Sequence, residues 1–180
     1  LEFRRVLFRS QETIEVIGNA TSGEAEPLIF AHRGELFVSL ASDHTDRQLE
    51  AHSVALSKQI CVKPVARAAW PLQEVLEHWD SLILRSWIKE EGEWRLYQQG
   101  SLAALRTPGD LLERYFTGMQ PPECGLAQPQ TPNGLAMTCG TVAAIGGIRP
   151  AGEFRMELVD DVLGRTISHG YRSIELPVVA

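Results

Sequence analysis

The sequence predicts an α+β domain that is mostly β. Apolar runs of strand length lie at both ends of the chain, and helical spacing is confined to the middle. The two do not alternate in the regular rhythm of a Rossmann or TIM fold. With 180 residues, 44% hydrophobic and 22% charged, the chain has the size of one domain. A chain of this length buries about two-thirds of its unfolded surface without disulfide or metal staples.

Residues 1–10, Leu-Glu-Phe-Arg-Arg-Val-Leu-Phe-Arg-Ser, show no pattern linking them to the rest of the chain. They are expected to be adaptor-derived and set apart from the fold. Residues 11–180 are then a single domain, expected to lack the N-terminal part of a longer protein. Residues 13–17 alternate as a strand that Gly18-Asn19 breaks. Residues 24–32 and 35–42 come next as strands around Arg33-Gly34, a two-residue hairpin turn in which glycine supplies a positive φ. From Asp43 to Ile60 the apolar spacing turns helical (Leu49, Leu56, Ile60), with Asp43 or Thr45 as N-cap. A connector runs over 63–71. Residues 71–79 read as a short helix with proline in its first turn. Residues 81–89 and 94–99 form a second hairpin around Glu90-Glu91-Gly92-Glu93, and Thr107-Pro108 opens a helix that reaches Phe116. Residues 117–133 hold four of the ten prolines and read as a loop. Strands return over 135–142, 154–160 and 165–176.

Net charge is −6 for the whole chain. Without residues 1–10, Lys+Arg falls from 17 to 14 and Asp+Glu from 23 to 22, leaving −8. Such an acidic chain is not expected to bind nucleic acid or an anionic membrane. No apolar run approaches the roughly 20 residues that span a bilayer. Cys61, Cys124 and Cys139 are odd in number and lack Cys-x-x-Cys spacing, so a reducing, cytoplasmic setting is expected.

The chemistry-bearing residues concentrate in Gly23-Glu24-Ala25-Glu26 and Ser42-Asp43-His44-Thr45-Asp46-Arg47. Strand alternation points Glu24 and Glu26 the same way. A two-residue turn at Arg33-Gly34 makes cross-strand partners sum to 67. Glu26 then faces Ala41, and Glu24 faces Asp43. Three carboxylates therefore share one end of an otherwise apolar hairpin, where like charges repel unless protons or a cation intervene. An all-oxygen set suits a hard ion, Mg²⁺, with Mn²⁺ or Ca²⁺ as alternatives. The competing reading is a solvated strand end with Asp43 as a helix cap.

These segments resemble the fumarylacetoacetate hydrolase superfamily, closest to a divergent bacterial domain-of-unknown-function branch. That superfamily carries Glu-x-Glu on one strand and Asp at the end of a later one, matching Glu24, Glu26 and Asp43, with Thr45-Asp46-Arg47 after them. Cys139-Gly140-Thr141-Val142 through Pro150 is similar to its Gly-Thr-Pro loop, with Val142 at the usual proline. The resemblance implies a mixed β-roll with short peripheral helices and a homodimer. It also implies a divalent metal that binds a small anionic 2-oxo or 1,3-dicarbonyl acid for carbon–carbon cleavage, decarboxylation or enol–keto chemistry. Glu157 matches the glutamate of the superfamily's His–Glu dyad. The dyad histidine belongs to a region upstream, so His44 is the candidate substitute base. Arg47, Lys58, Lys63, Gly140 and Thr141 are the candidate substrate contacts, with Lys58 and Lys63 as alternatives for one lysine. A non-catalytic ligand-binding or assembly module, or a metal-dependent isomerase, is the alternative function. Cys139 reads as a buried structural thiol, and the four tryptophans as core or interface.

Overall fold

The structure is a computed structural model and describes residues 8–118 and 134–177. Of the loop expected over 117–133, residues 119–133 lie outside these residues, as do Cys124 and most of the adaptor-like segment, while 117 and 118 are helical. In chain order the strands are β1 (Phe8–Arg9), β2 (Thr13–Ile17), β3 (Thr21–Ser22), β4 (Ala25–His32), β5 (Glu35–Ser42) and β6 (Thr45–Asp46). Helices α1 (Arg47–Glu50) and α2 (Val54–Ile60) come next, then β7 (Lys63–Pro64), β8 (Trp70–Pro71) and two 3₁₀ turns, Leu72–Glu74 and Leu76–Ser81. The hairpin β9 (Ile83–Glu90) and β10 (Glu93–Ser101) leads through a 3₁₀ turn, Leu102–Ala104, to α3 (Pro108–Gly118). The chain closes with β11 (Ala136–Thr138), β12 (Glu153–Asp160) and β13 (Arg165–Leu176).

Two sheets enclose one core. The larger has the order β10-β9-β12-β13-β2 and is antiparallel except where β2 joins β13. The smaller has the order β11-β4-β5-β8. Ile29, Val38 and Leu40 of the smaller sheet pack in one cluster with Leu84, Ile88, Phe154, Met156 and Leu158 of the larger. Among the described residues no helix is long and apolar enough to cross a membrane. The mostly-β α+β class is as expected.

Arg33 and Gly34 both take positive φ, 51° and 82°, the pair a type I′ hairpin demands. The predicted register results: Glu26 opposes Ala41, His32 opposes Glu35, and the Asp43 N–H donates to the Glu24 carbonyl at 2.8 Å. Phe8–Arg9, inside the segment set apart by sequence, runs parallel to β7.

Several elements differ from expectation. The single helix over 45–60 is two short ones: Asp46 caps α1 through Leu49 N–H, and Ser53 caps α2 through Leu56 N–H. Ser and Asp make such caps wherever they meet a free helix start, so each ends the run before it. The supposed apolar face is not buried either; Leu56 and Ile60 are exposed and Leu49 is half-buried. The helix expected over 71–79 is 3₁₀ in character, and its start is taken by β8, which pairs with β5. The strand expected over 135–142 reduces to β11, after which Gly140 turns the chain at φ 91°.

Gly23 allows a close approach. A methyl there would overlap Tyr171 Oη and stand 2.6 Å from Ser42 Oγ. Gly23→Ala is expected to destabilise the protein by about 1–3 kcal/mol, read by urea unfolding. Adding Tyr171→Phe should recover part of that loss, and no recovery would mean the clash lies elsewhere.

Candidate functional site

The hairpin β4–β5 delivers its carboxylates to one end of the smaller sheet, where they meet cations rather than solvent. Asp43 is 8% exposed. It pairs with Lys63 Nζ at 2.8 Å and with Lys58 Nζ in a shorter contact. Burial pushes its carboxyl up, but the two lysines prevail and hold it below the ordinary value. Glu24 meets Arg47 Nη2 at 3.2 Å and Lys58 Nζ at 3.7 Å. Glu26, 6% exposed, accepts from Gly140 N–H at 2.9 Å. Burial first, then the charge of Asp43, raises its carboxyl to about 7.

The two candidate lysines are distinct. Lys63, on β7, is 3% exposed and donates to the His44 carbonyl as well as to Asp43. Burial pulls its ammonium below the ordinary value. Lys58, on α2, keeps 19% of its side chain exposed. Burial opposes its charge, but Asp43 and Glu24 hold it above the ordinary value. Lys58 is thus the more exposed of the two lysines, and Lys63 the more enclosed.

His44 is 1% exposed and shares a hydrogen bond with Tyr171 Oη at 2.9 Å through Nδ1. Tyr171 in turn bonds Ser42 Oγ at 2.7 Å. Burial, then Lys63 and Arg47, depresses His44 to about 3, so its ring is neutral. Its Nε2 is buried without a hydrogen-bond partner among the described residues. This is a histidine built into the wall behind Asp43. Arg47 is held at three points, by Ser22 Oγ, Glu50 and Glu24.

Gly140 and Thr141 touch the cluster from beneath. The Thr141 hydroxyl donates to the Ala25 carbonyl and accepts from Gln98 Nε2, each at 2.6 Å. It is therefore already engaged within the chain, and Gly140 N–H is engaged by Glu26. Both residues thus tie the loop to β4 beside the cluster. Glu157 is not brought to the cluster. It lies on β12 between the core residues Met156 and Leu158 and so faces the other way. It lines a groove of about 720 Å³ with Trp87, Trp94, Arg155 and His169, in which none of the three clustered acids takes part. Cys139 is buried, and burial raises its thiol, as suits a structural role.

Sequence reading missed Gln98. Fully buried, it accepts from Ala25 N–H at 2.9 Å and Ser86 Oγ at 2.7 Å. Its amide donates to Thr141 Oγ1 and to the Val142 carbonyl at 2.8 Å. One side chain thus ties the residue between Glu24 and Glu26 to the loop that bonds Glu26. The irregularity between Leu96 and Gln98 in the β9–β10 pairing turns it inward beside Tyr97.

Among the described residues, no three His, Cys, Asp or Glu side chains stand arranged to hold a metal ion. The donor chemistry nevertheless fits a hard divalent cation, because Glu24, Glu26 and Asp43 offer carboxylate oxygens only.

The family described as protein of unknown function (DUF2848) matches residues 2–171. None of the curated proteins matches the chain. Solved structures share its fold. A crystal structure of Cg1458 is 14% identical, with a TM-score of 0.65 over 93% of this chain and 65% of that one. The apo form of 2-keto-3-deoxy-D-arabinonate dehydratase is 16% identical, with a TM-score of 0.61 over 91% and 57%. The same dehydratase complexed with magnesium and 2,5-dioxopentanoate is 19% identical, with a TM-score of 0.56 over 91% and 57%. The chain therefore spans about three-fifths of the length of these proteins.

Proposed function

The chain belongs to the DUF2848 family, and from that membership and the fold we propose that it is the metal-binding core of a lyase or hydrolase acting on a small oxo acid. The observation that carries this reading is the three-carboxylate end of the β4–β5 hairpin with Lys58 at its rim. Glu24, Glu26 and Asp43 would hold Mg²⁺, with Mn²⁺ or Ca²⁺ as alternatives. Such an ion supplies Lewis-acid stabilisation of a carbonyl oxygen that gains negative charge. Lys58 would face the substrate carboxylate. Lys63, Arg47, Gly140 and Gln98 keep the acids in place, and His44 and Tyr171 back Asp43. The 2,5-dioxopentanoate in the magnesium-bound dehydratase belongs to the same substrate class.

Calorimetry with Mg²⁺ on chelator-treated protein tests the reading. Saturable binding is expected, weakened more than tenfold by Glu24→Gln. Absence of divalent-ion binding would sink it. Acylpyruvates and oxaloacetate, followed for both substrate loss and product identity, then separate cleavage from isomerisation. One observation favours the rival reading of a non-catalytic binding or assembly module: neither Glu157 nor His44 offers a charged or solvent-facing base at the cluster. Metal binding with no turnover on the panel would support that rival. Homodimerisation and a cytoplasmic location complete the proposal.

A further inference from the structure

We propose that the Lys58 ammonium occupies the place of the divalent cation, so that ion binding is a cation exchange in which Lys58 must first swing out. This rests on the metal-site reading above. Lys58 Nζ is the point shared by two of the acids: it contacts Asp43 Oδ2 and lies 3.7 Å from Glu24 Oε2. A positive group bridging Glu24 and Asp43, two of the three proposed ligands, stands where an ion drawn to these carboxylates would sit. The cluster is quiet without metal because it carries its own cation.

The other two cations are not exchangeable in this way. Lys63 is walled in at 3% exposure, with the His44 carbonyl as a second anchor. Arg47 is tied to Ser22 and Glu50 besides Glu24. Among the described residues, Lys58 has the cluster and Thr45 Oγ1, at 3.4 Å, to hold it. Its support is also light. Helix α2 has seven residues, of which Ser57 alone is buried, and it exposes Val54, Leu56 and Ile60. A four-carbon stem on such a helix moves its charge by rotation of side-chain torsions, without disturbing the sheets. Once displaced, the ammonium stays at the rim, next to a site that has gained two positive charges. Repulsion turns it outward, where an anionic substrate is the available partner. The same lysine thus guards the empty site and receives the substrate of the filled one.

Titration of Mg²⁺ into chelator-treated wild type, Lys58→Met and Lys58→Gln, each checked for native far-UV circular dichroism, tests this. Both variants should bind Mg²⁺ at least tenfold more tightly than wild type. Without metal they should melt lower than wild type, because three acids have lost a counter-charge, and Mg²⁺ should raise their melting point by more than it raises that of wild type. Wild-type binding with equal or weaker binding in both variants would overturn the exchange and leave the metal site standing. No binding by any of the three proteins would overturn both. Binding by the variants alone would be the exchange in its strongest form.

Discussion

Asp43→Asn is expected to lower the stability of the metal-free protein by about 3–5 kcal/mol at neutral pH, moving the urea midpoint down by about 1–2 M. The reason is Lys63. Its ammonium is 3% exposed, and Asp43 Oδ1 at 2.8 Å is its charged partner. An amide at position 43 keeps the shape and a hydrogen bond but leaves a buried charge uncompensated. The remaining acceptor, the His44 carbonyl, carries only a partial charge. Lys58 loses its nearest partner too, but its side chain is 19% exposed and water compensates in part. The pair should therefore fail asymmetrically. Asp43→Asn with Lys63→Met should recover most of the loss, since an apolar stem of similar volume replaces the stranded charge. A double variant as unstable as Asp43→Asn alone would show that Asp43 acts through Lys58 instead. The wild-type pair also has a definite pH window. Asp43 is held below its ordinary value, so its contribution is present above about pH 4 and is lost as pH falls through the depressed value.

How far the site was legible depends on which interactions are local. The carboxylate register was, because a two-residue turn at Arg33-Gly34 leaves one pairing for the apolar strands, and a slip by one residue would expose them. The cations were not. Lys58 and Lys63 lie five residues apart in similar surroundings, and what separates them is tertiary: β7 lies beside β1 and buries Lys63, whereas α2 sits on the surface. The helix break at Ser53 was readable in principle, since serine is a strong N-cap. The spacing of Leu49, Leu56 and Ile60 carries a helical period across it. Gln98 had no local signal. In an unbroken strand it would face away from Tyr97, and only the pairing irregularity before it buries both. Glu157 matches a motif by resemblance, but strand alternation against Met156 and Leu158 already faces it away from the core.

Glu26→Gln is expected to become more stable relative to wild type as pH rises, by about 3 kcal/mol in all between pH 4.5 and 8. The Glu26 carboxyl is raised from 4.5 to about 7 by burial and by Asp43, so the folded protein holds this proton more tightly than the unfolded chain does. Its contribution is greatest below pH 4.5 and is lost as pH climbs through 7. His44 works in the opposite sense over part of the range. Its ring, depressed from 6.5 to about 3, favours the fold increasingly as pH rises from 3 to 6.5. The wild-type profile alone therefore mixes two slopes. The difference between wild type and Glu26→Gln removes the histidine, which both proteins keep, and glutamine still accepts from Gly140 N–H. A flat difference between pH 4.5 and 8 would mean that Glu26 ionises as freely as an exposed acid. Saturating Mg²⁺ adds a second condition. An ion held by Glu24, Glu26 and Asp43 binds the ionised carboxylate and thereby stabilises the form that burial penalises. Under the metal-site reading the gap between the two proteins should then narrow from the alkaline side, with wild type gaining more than the variant. If Mg²⁺ leaves the gap unchanged at pH 8, Glu26 is a buried acid with a raised proton affinity and no part in holding an ion.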